Sequence, residues 1–174
     1  IVPKLKYNFL DILNLYKQHH NVNIILTHSH PDHIGGVMEN FEFIKKQNIR
    51  VFHNIKHLNI AYYKEFPQIQ EFLSKRLLPY NLSIDVKHAS LFETHFIGGH
   101  TPEHFALSVK YADIFYPSDL IPTLYHAKNE AMGEKNENVE KFLINKEEAL
   151  AYMNNSQPIV LFSHAPNDGI ISWR

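Results

Sequence analysis

The sequence predicts a mixed α/β fold in which helices cover packed sheets. Short apolar runs rich in β-branched residues recur along the chain, and segments with helical apolar spacing stand between them. Hydrophobic residues make up 44% and charged residues 20% of the 174 positions, an ordinary globular balance at a length that one domain can use to bury a core.

The elements follow in chain order. Leu5, Phe9, Ile12, Leu13 and Tyr16 recur at helical spacing, predicting a helix over 5–18. Val22 to Leu26 is a buried strand, and it runs into the polar segment Thr27-His28-Ser29-His30-Pro31-Asp32-His33. After Gly35-Gly36, Val37 to Gln47 reads as a helix, and Ile49 to Phe52 as a strand. Pro67 opens a helix over 67–78, since proline suits the first helical turn. Strands are expected at 83–87, 93–97, 105–111 and 114–116. The segment from Leu120 to Asn138 has mixed polarity and reads as a long loop. A helix over 146–153 and a buried strand over 159–162 complete the pattern, and the last strand ends at Ser163-His164. No repeat, low-complexity tract or interdomain linker interrupts the sequence.

Composition narrows the function. With 17 basic and 18 acidic residues the net charge is −1, so no general electrostatic attraction draws the chain to nucleic acid or an anionic membrane. The absence of cysteine excludes disulfides and thiolate-held metals and fits a cytoplasmic location. No apolar run reaches membrane-spanning length, and no basic-then-apolar leader opens the chain, which begins at Ile1.

The segment His28-Ser29-His30-Pro31-Asp32-His33 concentrates four metal-capable side chains just past a strand end. Alternate residues of extended backbone point the same way, so His28 and His30 can grip one ion together. Asp32 and His33, beyond the proline, can turn towards a second. Imidazole nitrogens with a carboxylate suit zinc and similar divalent ions. Three later strand ends repeat the theme: His100 after Gly98-Gly99, Asp119 in Tyr116-Pro117-Ser118-Asp119, and His164 after Phe162-Ser163. Any one of these would more often be a cap or surface residue; the recurrence is how a rigid scaffold presents ligands on loops.

The ordered set "THSHPDH", "GGHTPEH", "YPSDL" and "FSH" resembles the metallo-β-lactamase superfamily, and the likeness runs from His28 through His164. The resemblance implies an αββα sandwich, expected here as a single domain over 1–174 that is incomplete at its amino-terminal end. It implies that His28, His30 and His100 hold a first metal, that Asp32, His33 and His164 hold a second, and that Asp119 bridges the two. "SDLIPT" is closer to the lactonase-like and broad hydrolase branches than to true β-lactamases. Family members carry further strands before the first histidine motif, and many have aspartate where this chain has Ala165.

Two divalent ions, zinc by default and manganese or iron as alternatives, would share a hydroxide able to attack a carbonyl or phosphorus. Asp119 would hold the ions together and Asp32 would orient the nucleophile, with His126 or Tyr125 reaching substrate from the following loop. His104 is expected to pack or to orient a ligand. The expected reaction is hydrolysis of a small ester, lactone, thioester or amide. Leu120, Ile121, Leu124 and Met132 are the expected apolar surroundings of such a substrate. A phosphodiesterase or nuclease on the same metals is the first alternative, and a non-catalytic metal-binding domain the second. The expected partner is a small-molecule substrate, without nucleic acid or membrane; a homo-oligomer is compatible with the sequence.

Overall fold

The computed structural model describes residues 9–18, 22–28, 30–53, 92–129, 131–132, 136, 138–164 and 170–173. The chain separates into two compact units, residues 1–81 and 82–174. The helix expected over 67–78 and the strand expected over 83–87 lie outside the described residues.

In the first unit, α1 (Phe9–Lys17) precedes β1 (Asn23–Leu26), α2 (Pro31–Glu39), α3 (Phe41–Lys46) and β2 (Arg50–His53). β1 and β2 pair in parallel, Ile24 opposite Val51. Their core holds Leu13, Leu26, Ile34, Val37, Ile44, Ile49 and Val51, the apolar stripe of each helix meeting the strands. The second helix departs from the expectation, because it starts at Pro31 rather than Val37 and so takes in Asp32, His33 and both glycines. Proline at the first helical position costs no hydrogen bond, which lets the helix begin inside the polar motif. Gly36 does not break the helix. A side chain there would meet the Phe9 ring at 2.8 Å, so the glycine lets α1 lie directly on α2.

The second unit is a five-stranded sheet in the order β3-β4-β5-β6-β7. It comprises β3 (Phe92–His95), β4 (Ala106–Val109), β5 (Ile114–Tyr116), β6 (Ile159–Leu161) and β7 (Ile170–Ser172). Neighbours are antiparallel except β5 and β6, whose parallel pairing requires a long crossover. That crossover contains α4 (Leu124–Lys128) and the 18-residue α5 (Val139–Ser156). The expected continuous loop from Leu120 to Asn138 is therefore interrupted by a short helix, which Thr123 caps through its side-chain oxygen. Likewise α5 begins seven residues before the expected Lys146, with Asn138 accepting from the Lys141 amide at 2.9 Å as its cap. Its Phe142, Ala149 and Met153 enter a core with Ala106, Phe115, Val160 and Phe162.

Candidate metal centre

Each unit presents its own set of donors. In the first, β1 ends at Leu26, and the chain continues through buried Thr27 and His28 to His30, which precedes α2 in an extended conformation (φ −63°, ψ 147°). His28 Nε2 and His30 Nδ1 face each other at 3.2 Å, while Thr27 Oγ1 lies 3.3 Å from His28 Nδ1. His33, in the first turn of α2, brings its ring centroid within 4.1 Å of that of His28. Asp32 is mostly solvent-exposed, with Oδ2 3.7 Å from His33 Nε2.

In the second unit, His100 follows Gly98 and Gly99, whose φ values of +87° and +98° lie in the region that glycine adopts without strain. Gly99 also has no room for a side chain, since a Cβ would sit 2.7 Å from the Phe142 Cα. Main-chain bonds from Gly98 N to His104 O and from Asn138 N to Gly99 O lock the turn. A side-chain bond from Asn145 Nδ2 to Gly98 O ties it to α5. His100 is consequently buried, with Nδ1 3.0 Å from Asn136 Oδ1 and Nε2 3.6 Å from Asp119 Oδ2. His104, expected to pack or orient, is fully buried edge-on to the His100 ring.

Asp119 sits in a 3-10 turn just past β5, behind Ser118, whose left-handed backbone (φ 54°) is uncommon for a residue with a side chain. Ser163 Oγ donates to Asp119 Oδ1 at 2.9 Å, and His164 Nε2 lies 3.2 Å from both carboxylate oxygens. The His164 amide bonds Pro122 O at 2.9 Å, which fixes the approach of β6's end to this turn. The structure therefore gathers His28, His30 and His33 in one unit, with Asp32 beside His33. It gathers His100, Asp119 and His164 in the other.

His126, expected to reach substrate, lies on α4 with Nδ1 2.7 Å from Thr123 Oγ1. Burial lowers its pKa below the usual histidine value, and the charges of Lys146 and His164 act in the same direction. It is thus held neutral near pH 7. Tyr125 is exposed beside it. Leu120 and Ile121 correct an expectation: both are fully buried in the core and are not part of a pocket wall, because the turn that presents Asp119 needs anchoring. Leu124 also packs partly against that core, whereas Met132 is exposed.

The motifs did not single out Ser163, Asn136 or Thr123 as contributors to these sets. Their partners lie 44, 36 and 3 residues away respectively, and only the last separation, a capping distance, was readable locally.

The family model of the metallo-β-lactamase superfamily matches residues 22–164, and the chain belongs to that superfamily. Among solved structures it is similar to AidC, a dizinc quorum-quenching lactonase in complex with a product, N-hexnoyl-L-homoserine. The identity is 21% and the TM-score 0.67, covering 86% of this chain and 59% of the lactonase. It is similar also to TTHA1623 in a di-iron-bound form, at 16% identity and TM-score 0.64, covering 99% of this chain and 82% of that one. A probable metal-dependent hydrolase from Staphylococcus aureus shares 16% identity at TM-score 0.62, covering 87% of this chain and 57% of its own. The chain thus spans about three fifths of the lactonase's length. No curated protein matches. Among the described residues, no helix is long and apolar enough to cross a membrane.

Proposed function

We propose that the chain is the metal-binding part of a hydrolase that cleaves a small ester, lactone, thioester or amide at a dinuclear centre. As the family resemblance implies, His28, His30 and His100 would hold one ion and Asp32, His33 and His164 the other, with Asp119 shared. The observation that carries this is donor facing donor. His28 Nε2 and His30 Nδ1 stand 3.2 Å apart, and His100 Nε2 and Asp119 Oδ2 stand 3.6 Å apart. Two ligands of one tetrahedral zinc, each about 2.1 Å from the metal, would lie about 3.4 Å from each other. The donor set is oxygen and nitrogen throughout, which suits zinc first and manganese or iron next.

Bound divalent ions would supply an acidified water as nucleophile and a Lewis acid for the substrate oxygen that gains charge. The protein's own part is to hold the donors still. Ser163 fixes the Asp119 carboxylate through Oδ1, and the Gly98–Gly99 turn fixes His100. Asp32, its carboxylate 3.7 Å from His33 Nε2, would help orient the nucleophile. Neutral His126, its Nδ1 engaged with Thr123, is the residue that would meet the substrate or its leaving group from α4. A net charge of −1 supports a small carbonyl substrate over a polyanion, which gains affinity from clustered lysine and arginine. The reading also includes a single functional domain and a cytoplasmic location.

The deciding experiment is metal analysis of purified protein followed by assays on ester, lactone, thioester and phosphodiester substrates. About two ions per chain and cleavage of a carbonyl substrate are expected. Absence of bound metal after reconstitution with zinc or manganese would remove the proposal. Phosphodiester cleavage without any carbonyl hydrolysis would reassign the substrate.

A further inference from the structure

We infer that Asn136 is a positioning residue that decides which nitrogen of His100 is offered to metal. The inference rests on the metal-binding reading and adds to it a residue that lies in none of the motifs. An amide oxygen only accepts hydrogen bonds. His100 Nδ1, 3.0 Å from Asn136 Oδ1, must therefore carry the ring proton. That leaves the lone pair on Nε2, the nitrogen directed at Asp119 Oδ2. Their 3.6 Å separation exceeds a hydrogen bond, and both atoms then present electron pairs to one space, which a cation satisfies. A histidine whose other ring nitrogen donates to a fixed acceptor is held in one tautomer and one ring orientation.

The placement of Asn136 is itself built. Two residues later, the Asn138 amide donates to Gly99 O at 3.0 Å, while the Asn138 side chain caps α5. Gly99 in turn is packed on the first turns of that helix at Phe142. The segment carrying the acceptor and the turn carrying the ring are thus joined by main chain, and the Asn136–His100 bond closes the loop between them. His28 differs, since its Nδ1 faces a hydroxyl, which can donate or accept and so imposes no tautomer.

The test reads the His100 ring by nitrogen NMR in metal-free protein and measures zinc and cobalt affinity by chelator competition. Wild type, Asn136→Ala and Asn136→Asp are compared, with thermal melts as a check on folding. Wild-type His100 should carry its proton on Nδ1. Asn136→Ala should populate both tautomers and weaken metal binding by about 10- to 100-fold. Asn136→Asp keeps an acceptor and should restore both the tautomer and the affinity. A wild-type ring protonated on Nε2 would overturn the inference whether or not any variant folds. So would an Asn136→Ala protein with unchanged tautomer and affinity, which would leave Asn136 a structural loop residue. Wild type that binds no metal while showing the Nδ1 tautomer would sink the metal-centre reading and leave the positioning role standing.

Discussion

The turn that carries His100 and the helix start that carries Asp32 both present metal-capable donors, and they are built in opposite ways. His100 is buried, and its turn is held by two main-chain bonds, the Asn145 side chain and a glycine that admits no Cβ. Asp32 is largely in water on the first turn of α2. Asp119 resembles His100 in burial, and His164 resembles Asp32 in exposure. Burial and tethering lower the entropy that a ligand loses on binding metal, whereas exposed ligands must be ordered at that moment. On the proposed reading, the contrast predicts that buried, tethered His100 and Asp119 hold metal tightly, whereas the exposed Asp32 and His164 each add a weaker, more exchangeable hold.

The largest effect should come from Asp119→Ala, which removes the donor placed at the centre of that contrast. Metal binding and hydrolysis should fall by more than the roughly 100-fold typical of losing an outer partner. Elemental analysis and kcat/KM measure it, and a variant retaining two ions would break the comparison. Gly99→Ala should follow. It combines a φ of +98° with a Cβ 2.7 Å from helix backbone, and the expected cost is about 3 kcal/mol of stability, read by urea unfolding. His164→Ala should sharpen the comparison, losing one ion of two while retaining the tighter one, with the fold intact. Ser163→Ala keeps every ligand and should weaken metal affinity by about tenfold through a freed Asp119. Smallest is Tyr111→Ser, at an exposed position outside both donor sets, where stability should move by less than about 0.5 kcal/mol.

The candidate donors were legible wherever they were concentrated. Four lie within six residues, and the others follow strands by three to five residues, on the loops that strands lead into. What escaped was whatever depended on distant packing. The start of α2 was hidden because Gly35-Gly36 reads as a break, and only the Phe9 ring explains why Gly36 belongs inside a helix. The first half of α5 was hidden because Asn145 and Lys146 face inward, which spoils the apolar period. β7, with only Ile170 and Ile171 to mark it, was too short to stand out and exists by pairing with β6. Leu120 and Ile121 misled for the related reason that apolar character alone does not distinguish a pocket wall from a core anchor.

Lys146 carries a further meaning for anyone reshaping this protein. Its buried ammonium donates to the carbonyls of Asn129 and Ala131, in the segment that follows α4. One turn of helix thus addresses two different loops: Asn145 the metal-side turn, Lys146 the segment after α4. A loop transplanted from a relative would arrive without its moorings unless positions 145 and 146 travelled with it. Grafting of this loop is therefore a two-segment operation in this chain, and the second segment lies in a helix outside the loop itself.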